Sequence, residues 1–145
     1  MRIDSFLQQS PVFQASRIAR RMESSLNAAL RQEGLTFSES LMLAAIFLEK
    51  TSVRPSEIAL SFETTRGNVS HAVSSLEAKR LVRRRIDPED ARGFRLELEP
   101  AGKRRAARVV GILDRMQARL EKELGAAKLE TMLRQLNAVE QLTRE

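Results

Sequence analysis

Cysteine is absent from the 145 residues, and histidine occurs once. Without thiols there can be no disulfides, no cysteine-ligated zinc and no thiol redox sensing. A single imidazole cannot build a multi-histidine metal site. No glycine-rich loop is patterned to cradle a phosphate, and metal-ligating residues do not cluster. No enzyme activity and no cofactor are therefore expected. No apolar run approaches the length of a membrane span. The opening residues, from Met1 to Pro11, lack the apolar core of a signal peptide. A soluble cytoplasmic protein without a membrane partner is the expectation.

What the chain does have is ordinary apolar content and an uneven basic charge. Hydrophobic residues make up 42%, enough for a packed core at this length. Net charge is +6, and residues 52 to 108 carry 13 Lys and Arg against 8 Asp and Glu. The excess is concentrated in the middle of the chain, as a polyanion-binding surface would require. A solvated surface that happens to be basic accounts for the charge equally well, so the pattern of individual residues has to decide.

The pattern is mostly helical. Pro11 suits a first turn, and Ala15, Ile18, Ala19, Met22, Leu26, Ala29 and Leu30 follow at helical spacing. Gly34 is placed to end this helix. Thr36 and Glu39 form a T-x-x-E capping box ahead of a second helix. Phe37, Leu41, Ala44, Ala45 and Leu48 read as its buried face. Met42, Leu43, Ile46 and Phe47 make it apolar all round and hence central. A third, short helix starts at Pro55, with Ile58, Ala59 and Phe62 inward. A polar break at Glu63, Thr64 and Thr65 leads into a fourth, and two short helices across a tight turn suggest a helix-turn-helix.

The fourth helix has an unusual outer face. At about 100° per residue, Val69, Val73 and Leu76 share one side. The other collects Gly67, Asn68, Ser70, His71, Ser74 and Ser75, with no carboxylate and no large apolar group. A plain surface helix would carry Lys and Glu there, whereas these side chains suit base edges and phosphates. Gly67 costs roughly 1 kcal/mol of helix propensity but lets the backbone come close to a ligand. His71, Thr65 at the cap and Arg66 beside it join the candidate DNA contacts. The plainer reading of His71 is a solvent-facing imidazole without a task, but its neighbours share the same pattern.

A hairpin is expected next. Val82, Arg84 and Ile86 alternate with Arg83 and Arg85, and Phe94, Leu96 and Leu98 with Arg95 and Glu97. Residues 87 to 93 read as its polar tip. Arg92 in the tip suits a narrow minor groove, with Asp90 placed to orient it. A surface ion pair between the two is the simpler alternative, worth little. Arg84 is a further candidate contact. Arg83 or Arg85 opposite Glu97 reads as cross-strand pairing.

From Pro100 onward the pattern is helical again, broken near Gly125. The first part repeats Ala106, Val109, Leu113, Met116 and Leu120, and the second Leu129, Met132 or Leu133, Leu136, Val139 and Leu142 or Thr143. The short helices and the hairpin leave little core for two long amphipathic helices. A second copy of the chain is therefore the expected partner.

This order of elements resembles the MarR family of winged helix-turn-helix regulators. Leu35-Thr36-Phe37-Ser38-Glu39 resembles the family's L-T-P-x-[EQ], and Ser56-Glu57-Ile58-Ala59 its S-E-L-A. Val69 to Val82 resembles V-T-R-x-V-x-x-L-E-x-K-G-L-V. Asp87 to Arg92, continuing to Gly102, resembles D-x-x-D-x-R and L-x-L-T-x-x-G. Arg80 stands where a glycine usually follows the recognition helix, so left-handed backbone there would be strained. Glu63 replaces a common turn glycine, Glu99 a capping threonine and His71 a frequent arginine.

The resemblance implies a mainly α fold with a small β-hairpin wing. It implies one domain over 1–145, with 1–34 and 103–145 as dimerisation helices and 35–102 as a winged-helix DNA-binding lobe. It further implies a homodimer on double-stranded DNA at a pseudo-palindromic promoter site, acting as a repressor. Many relatives are released by a small apolar or phenolic effector. Phe13, Met22, Phe37, Met42 and Phe47 are candidates to line such a site, though each is also a plain core residue. Two rival readings are a non-specific architectural DNA binder and a winged-helix protein-interaction module. The outer face of the fourth helix speaks against the second, because acidic or apolar groups are missing from it.

Overall fold

In the computed structural model, which describes residues 2–144, the T-x-x-E signature closes as a reciprocal cap. Thr36 N donates to Glu39 Oε2 at 2.9 Å, and Glu39 N to Thr36 Oγ1 at 3.2 Å. The elements in order are helices α1 (Arg2–Gln9), α2 (Pro11–Leu30), α3 (Phe37–Glu49), α4 (Pro55–Ser61) and α5 (Arg66–Ala78), strands β1 (Val82–Asp87) and β2 (Asp90–Leu98), and helices α6 (Pro100–Leu124) and α7 (Ala126–Leu142). A 3-10 turn at Arg31–Glu33 ends α2, and Gly34 follows with φ 67°. The fold is mainly α with an antiparallel two-stranded wing.

Helix α1 is an element the sequence reading did not anticipate. Its Phe6 ring meets Phe13 of α2 edge-on, with centroids 5.8 Å apart. Gln14 Nε2 donates to the Leu7 carbonyl at 2.7 Å.

The chain divides into two compact units. One runs from Ala29 to Leu113, wider at both ends than the 35–102 lobe read from the sequence. Its core includes Leu30, Leu43, Val73, Leu76, Leu96 and Val109, all fully buried. At roughly 1.5–3 kcal/mol for each large apolar side chain, this burial is the main force holding the lobe. Gly102 is indispensable to the packing. A Cβ there would lie 1.9 Å from the Leu81 carbonyl oxygen, so α6 can approach that backbone only with glycine.

The buried face of α3 differs from the one expected. Met42, Leu43 and Ile46 are buried together with Ala44, and Leu48 is 61% exposed. A helix apolar all round carries no periodic signal to fix which side faces inward, so neighbouring elements decide. In α4, Glu57 caps the helix start by accepting from Arg54 N at 2.8 Å. Ile58 and Ala59 are buried as expected, and Phe62 is partly so.

Helix α5 ends in a Schellman arrangement. Leu81 N donates to Leu76 O at 3.0 Å and Arg80 N to Glu77 O at 2.9 Å, with Arg80 at φ 56°. Left-handed backbone thus falls on arginine, as the missing glycine implied. Glu63, after α4, and Lys50, after α3, also have positive φ.

The expected tip at 87–93 shrinks to Pro88 and Glu89, because Asp87 pairs with Asp90 across a register shift after Ile86. Asp87 accepts from Glu89 N at 3.0 Å and tightens the turn. A third segment joins the sheet edge, with Val53 and Leu96 exchanging backbone bonds of 3.1 and 2.7 Å.

The other unit holds the residues up to Ala28 and from Asp114 onward. Not one of its described residues is buried. Ile3, Phe6, Phe13, Met22, Leu133 and Leu136 are each between 44% and 57% exposed.

Candidate nucleic-acid interface

Helix α5 is started by its own cap: Thr65 Oγ1 accepts from Asn68 N at 3.1 Å. Of the candidate contacts, Thr65 therefore has its hydroxyl oxygen engaged in the helix terminus. Asn68 Nδ2 turns back to Thr64 Oγ1 at 3.0 Å. Its amide oxygen stays available to accept. Arg66, Gly67, Ser70, His71 and Ser74 are all exposed, and Val69, Ala72, Val73 and Leu76 are buried. The split follows the wheel, and the exposed arc carries no carboxylate.

Ser75 does not belong to that arc, which corrects the sequence reading. It is half-buried, and its hydroxyl donates to the Glu39 carboxylate of α3. The wheel misplaced it because the inward arc extends to Ala72, one turn before Ser75. Lys79 Nζ reaches the same carboxylate at 2.7 Å and the Gly34 carbonyl at 3.0 Å. Burial raises the Glu39 pKa, but the bonds from Lys79, Ser75 and Thr36 outweigh it and leave the carboxyl below its ordinary value.

Arg84 is committed to holding the wing against α5. Its guanidinium lies 3.4 Å from Glu77, 3.4 Å from Ser74 Oγ and 4.8 Å from the centre of the Phe94 ring. It braces the site, where direct DNA contact had been expected. Arg83 and Arg85 both reach Glu97, at 2.9 and 3.1 Å, as cross-strand pairing predicted.

Arg92 is different. No ion pair holds its guanidinium among the described residues. Asp90 orients it through the backbone, accepting from Arg92 N at 3.0 Å. The side-chain ion pair considered as the simpler alternative is not formed.

Sequence reasoning missed a cluster that fixes the wing to α4. Asp87 is 3% exposed. It accepts from Arg54 Nε at 2.6 Å and from Arg95 Nε at 3.2 Å. Glu89 pairs with the same two arginines, and Arg95 also reaches the Ser52 carbonyl at 3.4 Å. The Arg54 hydrogen bond, above all, holds the Asp87 carboxyl well below the usual carboxylate range. In turn Asp87 and then Glu89 raise the Arg54 guanidinium further above its ordinary value. Arg54 and Asp87 are 33 positions apart, and no local pattern links them.

Between α5 and the wing lies a cleft of about 420 Å³, lined by Arg54, Ser56, Arg66, Ser70, Arg92 and Phe94 together with the carboxylates Asp87 and Asp90. Arg54 is already paired with Asp87 and Glu89, so Arg66, Arg92 and two hydroxyls are the groups of this channel that suit a phosphate-bearing strand. No grouping of described residues could hold a metal ion, and no described helix is long and apolar enough to cross a membrane.

The model of the MarR family matches residues 33–93. Over that segment the chain is similar to the MarR family. No curated protein matches the chain in sequence. Solved structures of MarR-family regulators match it in fold. A Staphylococcus aureus MepR–DNA complex is 21% identical with a TM-score of 0.80, covering 94% of this chain and 97% of that one. The transcriptional regulator SlyA is 18% identical with a TM-score of 0.76, covering 92% and 94%. MarR from Oenococcus oeni PSU-1 is 14% identical with a TM-score of 0.74, covering 88% and 96%. At these identities the likeness establishes the winged-helix fold.

Proposed function

We propose that this chain is a sequence-specific transcriptional regulator of the MarR family, acting as a repressor. It binds double-stranded DNA as a homodimer at a pseudo-palindromic promoter site in the cytoplasm. Helix α5 enters the major groove, and the wing reaches the adjacent minor groove through Arg92. The observation that carries this reading is the exposed, carboxylate-free arc of α5, whose Arg66 and Ser70 share a cleft with Arg92 of the wing. The MepR neighbour was solved bound to DNA, which supports the same use of the fold.

The dimer is supported by the unit outside the lobe. It exposes an apolar surface and buries no described residue, so its helices need a partner for a core. The dimerisation segments are 1–34 and 103–145, and the DNA-binding lobe is 35–102.

The proposal includes release by a small apolar or phenolic effector. Within the compact unit from Ala29 to Leu113, an open groove of about 580 Å³ supports this, lined by Ile46, Phe47, Leu48 and Leu98 with Lys50 and Lys103.

Selection of bound fragments from genomic DNA tests the proposal. Enrichment of a few sites with two related half-sites is expected. Uniform recovery would instead favour the architectural reading, and recovery of no DNA the protein-interaction reading.

A further inference from the structure

Three large apolar side chains of the lobe are conspicuously exposed: Leu48 at 61%, Leu60 at 81% and Ile86 at 79%. Ile86 alone stands on the wing. It is the cross-strand partner of Phe94, so the two side chains project from the same face of the hairpin. Phe94 lines the cleft that also holds Arg66, Ser70 and Arg92. Arg84, two positions before Ile86 and on the same face, lies over the Phe94 ring. An uncovered isoleucine thus shares a face of the wing with Arg84 and Phe94 at the edge of the proposed phosphate channel.

Its position is fixed. Asp87, the next residue, is clamped by Arg54 and Arg95, and the strand register shifts between Ile86 and Asp87. The clamp holds Ile86 outward in the free protein, so little ordering remains to be done on binding.

We propose that Ile86 is the wing's apolar contact with duplex DNA, packing on deoxyribose along the groove wall beside the strand held by α5. A DNA strand alternates charged phosphates with apolar sugar faces, and an isoleucine beside a cleft that carries Arg66 and Arg92 matches that alternation. Apolar side chains are also tolerated in the minor groove, where they pack on sugars and base steps. This inference rests on the DNA-binding reading above.

The test compares the full-length chain with Ile86→Ser, Ile86→Thr and Ile86→Leu on one selected genomic fragment over a salt series. Ile86→Ser is expected to weaken binding about tenfold, Ile86→Leu about twofold or less. The slope of log affinity against log salt should stay the same, because no phosphate contact is lost. If serine lowers the melting temperature, Ile86→Thr, which keeps a β-branched strand residue, gives the deciding comparison. Wild-type affinity in both polar variants would overturn the proposal. So would a loss accompanied by a slope reduced by about one unit, which would mean that an arginine had moved. Failure of the unsubstituted chain to bind any duplex would overturn the DNA-binding reading along with it, and shows before any variant is compared.

Discussion

Lys79, the cap residue at the end of α5, and Glu39 of α3 meet at 2.7 Å, and the same ammonium also holds the Gly34 carbonyl at 3.0 Å. The carboxylate that caps α3 therefore also sets the position of the far end of α5. Its pKa is depressed in the folded state. Its contribution to stability is then full above the ordinary value near 4.5 and lost as pH falls through the lower folded value. Glu39→Gln should cost about 1–2 kcal/mol at neutral pH and flatten the acid side of the stability profile. Urea denaturation at pH 7 and pH 4 reads both effects. Equal losses at the two pH values would refute the linkage.

Gly102→Ala should be among the most damaging small substitutions in the lobe. The added methyl meets a backbone carbonyl, which cannot swing aside as a side chain can. About 1–3 kcal/mol of destabilisation is expected from such overpacking, seen as a fall in melting temperature. A wild-type melting curve would show that α6 is free to shift.

Arg80→Gly should do the opposite. Arg80 sits at φ 56°, and relief of left-handed strain should stabilise the chain by about 1 kcal/mol. The urea midpoint should rise, with DNA affinity little changed. A lower midpoint would mean that the guanidinium has a compensating role.

Arg92→Ala should weaken DNA binding and reduce the salt slope by about one unit if a phosphate contact is lost. If Arg92 reads groove width, the preference for A·T pairs at the flanks should relax instead. Titration of one fragment and its flank variants across salt separates the two. No change in affinity, slope or flank preference would remove Arg92 from the interface.

Much of this was legible in the sequence because the signals are local. The capping box at Thr36 and Glu39, the stop at Gly34, the break at Gly125 and the outward arc of α5 all involve residues within a few positions of one another. What escaped is long-range. The Asp87 clamp joins the wing to Arg54, and Ser75 is turned inward by Glu39, 36 positions away. Arg84 looked like a free wing cation because its partners Glu77, Ser74 and Phe94 lie on other elements. The face of α3 was unreadable for a different reason, since uniform apolarity has no period to follow.

The central claim is that the outer arc of α5 reads base sequence. Affinity for a selected site, divided by affinity for the same fragment scrambled, tests it in the wild type and in a chain carrying Asn68→Ala, Ser70→Ala and His71→Ala. The account predicts a wild-type ratio of about 10³ or more that falls toward unity in the variant, with scrambled-DNA affinity nearly unchanged. A wild-type ratio near one, or a ratio that survives all three substitutions, would contradict it.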